Sequence, residues 1–363
     1  MVGQRNESND IKVAITHGDV NGIGYEIIIK ALQDNRLSEL FTPVLYGLSK
    51  AVSYHRKTID QKDFNFNIIK SPDKASYKKP NIINVFDREV KIDLGQPSEI
   101  AGEMAYRALE AAVQDLKRQQ VDVLVTAPIN KFSIQSSSFD FPGHTEYLAE
   151  RFDSRDHLML MVSDQIRIGV VTGHIPVKDI AGVLSEDLIY NKINILHQSL
   201  KTDFSIRKPR IAVLSLNPHA GDEGLIGEED RDVVEPAIQR AFDRDILVYG
   251  PYSSDGFFGS ASYKEFDAVL AMYHDQGMLP FKLLSFESGV NYTAGLPIVR
   301  TSPAHGTAFD IAGKNMASPD SFRKALYLAV DIYRNRQMNE ELVKNPLQSP
   351  PEPETKNSGS ERH

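Results

Sequence analysis

Three histidines each stand just past a run of β-forming residues: His174 after IRIGVVTG, His219 after RIAVLSLNP and His274 after FDAVLAMY. Open α/β sheets bind ligands beyond the carboxyl ends of their strands. Three imidazoles delivered there by separate strands suit one divalent metal. The intervals between them are long, so they converge only in the folded chain, and no compact spacing such as HExxH makes the case locally. The chain has no cysteine, which excludes disulfides and thiolate zinc sites and leaves imidazole, carboxylate and water as ligands.

Downstream of His274, the residues Lys282, Asn291 and Arg300 fall within one continuous segment that begins YHDQGMLPFK. A lysine there is ordinarily a solvated loop charge, and an arginine ordinarily a strand-end ion pair. Turned toward a metal they would instead hold phosphate or carboxylate, Lys as a point charge and Arg as a bidentate fork. The stretch FPGHTEYLAERF puts His144 and Thr145 at the opening of a helix, where free N–H groups and the dipole favour an anion. Thr145 would serve equally as a cap. Of the other histidines, His197 reads as a helix-surface residue, and His55, His157 and His363 have no chemical context.

The elements that must position these groups alternate between short β-rich runs and longer amphipathic stretches, which predicts a parallel α/β architecture. Ile11–Thr16 reads as a first strand, followed by the turn HGDVNGIG and a helix near Tyr25–Gln33. Glycines at 18, 22 and 24 do not form GxGxxG, so the dinucleotide fingerprint is absent. A long helix lies within Pro97–Gln120, where Ala101, Ala105, Ala108, Leu109, Ala112 and Leu116 recur at helical spacing, and the strand VDVLVTAP follows. Further helices are expected over Asp187–Lys201, Glu228–Phe242 and Asp320–Arg336. Residues 53–80 are polar and irregular and read as an elaborated connection; 345–363, rich in Pro, Ser and charge, read as a disordered tail.

A chain of 363 residues can form two domains sharing a cleft. Its 41% hydrophobic and 25% charged residues are ordinary for a soluble globular protein. The net charge of −8 argues against a nucleic-acid partner, yet a few focused cations can still hold an anionic substrate. The polar start MVGQRNESNDIK lacks an apolar signal core, and no apolar run approaches the ~20 residues of a membrane span. A cytoplasmic location away from membranes is expected.

Together these segments resemble the 4-hydroxythreonine-4-phosphate dehydrogenase family of vitamin B6 biosynthesis. THGDVNGIGYE, VTAPINK, FPGHTEYLAE, TGHIPVKDI, NPHAGDEGLIGEED, YHDQGMLPFK and GVNYTAGLPIVRTSPAHGTAFDIAG occur in the family's order, from Lys12 to about Arg336. The resemblance implies that His174, His219 and His274 bind one divalent ion (Zn, Mg or Co) shared between the subunits of a homodimer. It implies substrate contacts from His144, Thr145, Lys282, Asn291 and Arg300. HGTAFDIAGK is also similar to the HGSAPDIAGK loop of isopropylmalate and isocitrate dehydrogenases, which receives the adenosine half of the cofactor. By that likeness His305, Gly306, Thr307, Ala308 and Asp310 are candidates to bind NAD or NADP, with Asp310 suited to ribose hydroxyls.

The fold so implied has two α/β domains with parallel-rich sheets flanked by helices and the active site in the cleft between them. Residues 11–132 with 301–340 would form the cofactor side, and 133–300 the metal and dimer side. Val20 and Tyr25 stand where many family members carry proline. The implied reaction oxidises 4-phosphooxy-L-threonine to 2-amino-3-oxo-4-phosphooxybutanoate, which loses CO2 to give 3-amino-2-oxopropyl phosphate. Lys282 is the expected base, with Asp275 as competitor or as the residue that orients an imidazole. The same chemistry on a four-carbon sugar-acid phosphate is the nearest alternative. A metal-dependent hydrolase or transferase would keep the histidines but leave HGTAFDIAGK without a role.

Overall fold

The computed structural model describes residues 11–344 except 35, 62, 89, 136–138 and 155. The expected tail at 345–363, with His363, lies outside the described residues. Among the described residues twelve strands join one mixed sheet: β1 (Lys12–Thr16), β2 (Thr42–Gly47), β3 (Asn67–Ile69), β4 (Asn81–Asn84), β5 (Val123–Thr126), β6 (Leu158–Val162), β7 (Arg167–Thr172), β8 (Ile211–Leu214), β9 (Val248–Tyr252), β10 (Ala268–Tyr273), β11 (Val290–Ala294) and β12 (Arg300–Pro303). Their order is β3-β4-β2-β1-β5-β12-β11-β6-β7-β10-β8-β9. Both wings are parallel, whereas β12, β11, β6 and β7 pair antiparallel in the centre. The expected α/β architecture is therefore present, with a large and mostly parallel sheet.

The wing strands are short apolar runs because helices cover both faces of a parallel sheet. In β8 (IAVL) and β5 (VLVT) every residue is buried. The Glu99–Lys117 helix starts at Ser98, whose hydroxyl accepts from the Ala101 N–H at 3.3 Å. Its alanine stripe lets backbones approach closely: a Cβ on Gly102 would lie 1.7 Å from the Ser133 carbonyl oxygen. The Glu186–Thr202 helix is capped in the same way by Ser185 and buries Ile189, Ile193, Leu196 and Leu200. Each such large apolar side chain contributes roughly 1.5–3 kcal/mol of burial.

Three expectations need correction. Residues 53–80 are not irregular throughout, since the Ser49–Thr58 helix runs into them and β3 adds an edge strand. That helix hides only Ala51, Val52 and His55, too little apolar content to leave a visible period. The stretch Glu228–Phe242 begins with a wider turn at Asp230–Val234 before the α-helix Glu235–Phe242. Lys282, read as a loop lysine, lies with His274 on the helix His274–Ser285, which opens directly from β10 and tolerates Pro280 inside it. Among the described residues no helix is long and apolar enough to cross a membrane.

Candidate active site

A cleft of about 390 Å³ lies over the antiparallel centre of the sheet, and Met159, Met161 and Val170 supply apolar parts of its lining. Of the residues the sequence singles out, His144, Thr145, His174, His274, Lys282, Asn291, Arg300, His305 and Gly306 line it. His219, Asp275, Thr307, Ala308 and Asp310 are not in its wall.

Arg300 is the first residue of β12 and is fully enclosed, 3% exposed. Its Nε and Nη2 donate to Thr126 Oγ1 at 3.1 and 2.7 Å, and its Nη1 donates to Thr293 Oγ1 at 3.4 Å. Burial pushes the guanidinium down to about 10, a shift that Glu146 opposes, so it stays charged at neutral pH. No carboxylate among the described residues comes within ion-pair distance of it, and Glu146 acts on it only from further away.

Arg300 Nη2 also meets His144 Nδ1 at 3.2 Å. A guanidinium can only donate, so Nδ1 must accept and Nε2 must carry the proton. Burial, then the charges of Arg300 and Lys131, hold His144 well below its usual range and therefore neutral. His144 opens the helix His144–Arg151 after Gly143, as expected, and Thr145 Oγ1 reaches Thr293 Oγ1 at 3.4 Å. Thr145 makes no cap hydrogen bond there.

The three strand-end histidines leave adjacent parallel strands, since β10 pairs with β7 on one side and β8 on the other. His174 and His274 come together, with ring centroids 5.7 Å apart. Burial, then the charge of Lys131, lowers His174, leaving a neutral ring with a lone pair to offer. The Asp275 carboxylate lies 2.7 Å from His274 Nδ1, which fixes that nitrogen as the donor and frees Nε2. Asp275 is otherwise exposed and stands outside the wall of the cleft.

His219 does not join the other two. It lies five residues past β8, the first of a left-handed run, His219–Glu223, with φ between 46° and 78°. Non-glycine residues in that region cost about 1–2 kcal/mol each, and buried Asp230 helps hold the loop by accepting the Leu216 and Asn217 N–H groups at 2.7 and 2.9 Å. Among the described residues no three His, Asp or Glu side chains of this single chain converge to hold a metal.

The HGTAFDIAGK loop packs on the first glycine turn: the Ile23 N–H donates to the Thr307 carbonyl at 3.1 Å. A Cβ on Gly22 would lie 2.8 Å from that same oxygen. Gly18 must be glycine because it has φ +69° and a Cβ there would lie 2.1 Å from the Pro128 carbonyl. The turn and the loop, far apart in sequence, thus form one unit beside the cleft. Asp310 is exposed.

Sequence reasoning missed several lining residues. Lys131, Glu146 and Lys192 face the cleft, as does His157, which had been without context. His55 also has one: it is buried, donates from Nε2 to the Val20 carbonyl at 2.8 Å and stacks on Tyr25. Gln276 had no sequence signal at all. Its amide oxygen accepts the Met272 N–H at 2.6 Å and its amide donates to the Ser215 carbonyl at 2.6 Å, stitching together the ends of β10 and β8.

The sequence model of the family described as Pyridoxal phosphate biosynthetic protein PdxA matches residues 39–329. A 4-hydroxythreonine-4-phosphate dehydrogenase of Bacteroides thetaiotaomicron is 51% identical over 94% of this chain and 94% of its own. One from Sulfurihydrogenibium sp. is 40% identical, covering 90% of this chain and 100% of its own. The crystal structure of the Klebsiella pneumoniae enzyme of that name superposes with a TM-score of 0.78 at 34% identity, over 90% of this chain and 99% of its own.

Proposed function

The chain belongs to the PdxA family of pyridoxal phosphate biosynthetic proteins, and on that premise we propose that it is an NAD(P)-dependent 4-hydroxythreonine-4-phosphate dehydrogenase. It oxidises the C3 hydroxyl of 4-phosphooxy-L-threonine, passing a hydride to the nicotinamide and a proton to a base. The β-keto acid product then loses CO2 to give 3-amino-2-oxopropyl phosphate. The observation that carries this reading is the one cleft that holds His174 and His274 beside the buried Arg300, which makes no direct ion pair.

The donor set fits a divalent cation in part. His174 is kept neutral and His274 presents a free Nε2, so two imidazoles of one chain are ready, while His219 stands apart. A bound divalent cation would lower the pKa of the substrate hydroxyl, and NAD or NADP would accept the hydride. Arg300 and His144 Nε2–H hold anionic oxygens of the substrate, with Thr145 and Asn291 beside them. Lys282 projects from the same helix as His274 and takes the hydroxyl proton. Asp275 keeps the His274 ring in its tautomer. His305, Gly306, Thr307, Ala308 and Asp310 receive the cofactor on the edge of the cleft.

The third imidazole in this reading is the partner subunit's His219, in a homodimer. Leu279, Leu283 and Phe286 form an exposed apolar strip along the His274 helix, and Leu225 and Ile226 are exposed beside the His219 loop. Apolar surface next to a histidine pair lacking its third member is what a second copy would cover. Residues 11–132 with 301–340, and 133–300, act as the two lobes around the cleft, meeting where β12 pairs with β11. The working location is the cytoplasm.

The deciding experiment follows absorbance at 340 nm with 4-phosphooxy-L-threonine, each nicotinamide cofactor and Zn, Mg or Co in turn. Turnover that stops on chelation and returns with metal is the expected result. Preference for a four-carbon sugar-acid phosphate would move the substrate assignment. Hydrolysis without any change at 340 nm would end the dehydrogenase reading.

A further inference from the structure

We propose that Lys192 is a substrate-contacting residue, an ammonium that receives an anionic oxygen of the substrate at the cleft wall formed by the Glu186–Thr202 helix. The proposal rests on the functional reading above, in which the substrate carries both a phosphate and a carboxylate.

Lys192 stands at the edge of the helix's buried Ile189–Ile193–Leu196 stripe, one turn from both Ile189 and Leu196, and lines the cleft. Its Nζ donates to the His157 carbonyl at 2.5 Å, which fixes the end of the chain. A lysine ammonium has three protons to donate and accepts nothing. One is used, and no carboxylate of the described residues comes within ion-pair distance. Asp156 acts on it only from further away, and burial disfavours the charged form. A half-buried ammonium with spare donors is costly unless an anion arrives to meet it. His157 Nδ1 beside it is likewise buried and without a partner.

The charge inventory of the wall points the same way. Lys131, Lys192, Lys282 and Arg300 line the cleft against a single carboxylate, Glu146, while burial favours the neutral form of His144, His157 and His174. A cleft so charged suits a ligand with more than one anionic group. Lys282 and Arg300 arrive from a different segment of the chain. Lys192, from a helix with no recognisable motif, supplies a cation on another wall.

The test compares the wild-type chain with Lys192→Met, which keeps the apolar stem, and Lys192→Arg, which restores the charge. Calorimetric binding of 4-phosphooxy-L-threonine without nicotinamide is read alongside steady-state kinetics. We expect Lys192→Met to weaken binding and raise the substrate KM by about tenfold or more, as the loss of one charge-assisted hydrogen bond does. kcat and the cofactor KM should stay nearly unchanged, and Lys192→Arg should recover most of the affinity. Should Lys192→Met lose its thermal transition, Lys192→Gln takes its place. Inorganic phosphate then locates the contact: weakened phosphate binding assigns the phosphate group, whereas a raised KM with unchanged phosphate binding assigns the carboxylate.

A substrate affinity within about twofold of wild type, or a loss confined to kcat, overturns the proposal. So does an arginine variant no better than the methionine one. If the wild-type chain does not bind the amino-acid phosphate at all, the functional reading fails separately. Inorganic phosphate and succinate then probe the anion site directly, and equal affinities of wild type and Lys192→Met for both overturn the contact.

Discussion

Arg300 and His144 share a hydrogen bond of 3.2 Å at the floor of the cleft, and it sets the chemistry of both. The arginine uses a donor to fix the imidazole as its Nε2–H tautomer, and the neutral imidazole leaves the arginine's charge uncancelled. Neither residue would be right for an anion without the other. Helix start and strand start, 156 residues apart, meet in one functional unit.

Arg300→Ala should therefore weaken substrate binding by more than one contact. The charge is lost, and His144 Nδ1 loses the donor that sets its tautomer. Charge-assisted bonds are worth about 1.5–3 kcal/mol each, so the substrate KM should rise by roughly tenfold to a hundredfold. Arg300→Lys should recover little, because an ammonium cannot span Thr126, Thr293 and His144 as the planar fork does. Steady-state kinetics decide this; a normal KM in either variant would count against the role.

A metal site shared between subunits makes a sharper prediction than loss of activity. His219→Ala and His274→Ala should each be inactive with fold intact, since neither removes core volume. Unfolded, mixed and refolded together, they form heterodimers with one intact site, so activity should return to about a quarter of wild type on random pairing. Sedimentation at matched concentration confirms the dimer. Mixtures that stay dead while wild type refolds normally would place all ligands within one chain.

Stability should fall in acid because of a buried stack at the end of β1. His17, Tyr25 and His55 stack in turn with centroids 4.9 and 5.0 Å apart. Neither ring nitrogen of His17 makes a hydrogen bond of ordinary geometry. Burial, aided by the charge of His55, lowers His17 to about 3, and burial lowers His55 to about 4. Both lie below the unfolded value, so the unfolded chain binds more protons between about pH 3 and 6.5, and stability is lost as pH falls through that window. Asp19, raised to about 6 by burial, works in the opposite sense over pH 4–6 but is one group against two. His17→Leu should flatten the urea-measured stability between pH 7 and 5 by about 1–2 kcal/mol. An unchanged slope would show that His17 does not titrate this way.

The strand-and-helix alternation was legible because each wing strand is a short, wholly buried apolar run, as in IAVL of β8. The positions of His174 and His274 followed from that pattern. What the sequence hid was orientation. The helix beginning at His274 contains a glycine and a proline, so its period is weak, yet it places His274, Met278 and Lys282 at intervals of one turn along the cleft. Lys192 was invisible for the opposite reason: within a regular amphipathic helix, nothing separates a lysine facing a cleft from one facing water. His219 follows its strand as the pattern predicts, but a left-handed loop has no periodicity to read, so its separation from the other two histidines was not legible.

Asn21, which stands in the first glycine turn just after the family-divergent Val20, should prove a structural knot. It is fully buried. Its amide donates to the Gln96 carbonyl at 2.8 Å and to Ser98 Oγ at 3.1 Å, while its side-chain oxygen accepts the Asp93 N–H at 2.9 Å. Its backbone carbonyl accepts the Gly95 N–H at 2.8 Å, and two residues on, Ile23 binds the Thr307 carbonyl. One side chain therefore ties the turn to the segment that leads into the Glu99–Lys117 helix, next to the loop assigned to the cofactor. Asn21→Ala removes three part-buried hydrogen bonds worth about 0.5–1.5 kcal/mol each, so unfolding free energy should drop by roughly 2–4 kcal/mol. The urea midpoint should move with the slope unchanged. Asn21→Asp should be worse still near neutral pH, because it keeps the acceptor, loses both donors and adds a second carboxylate beside Asp19. A variant as stable as wild type would mean that backbone contacts alone hold the turn.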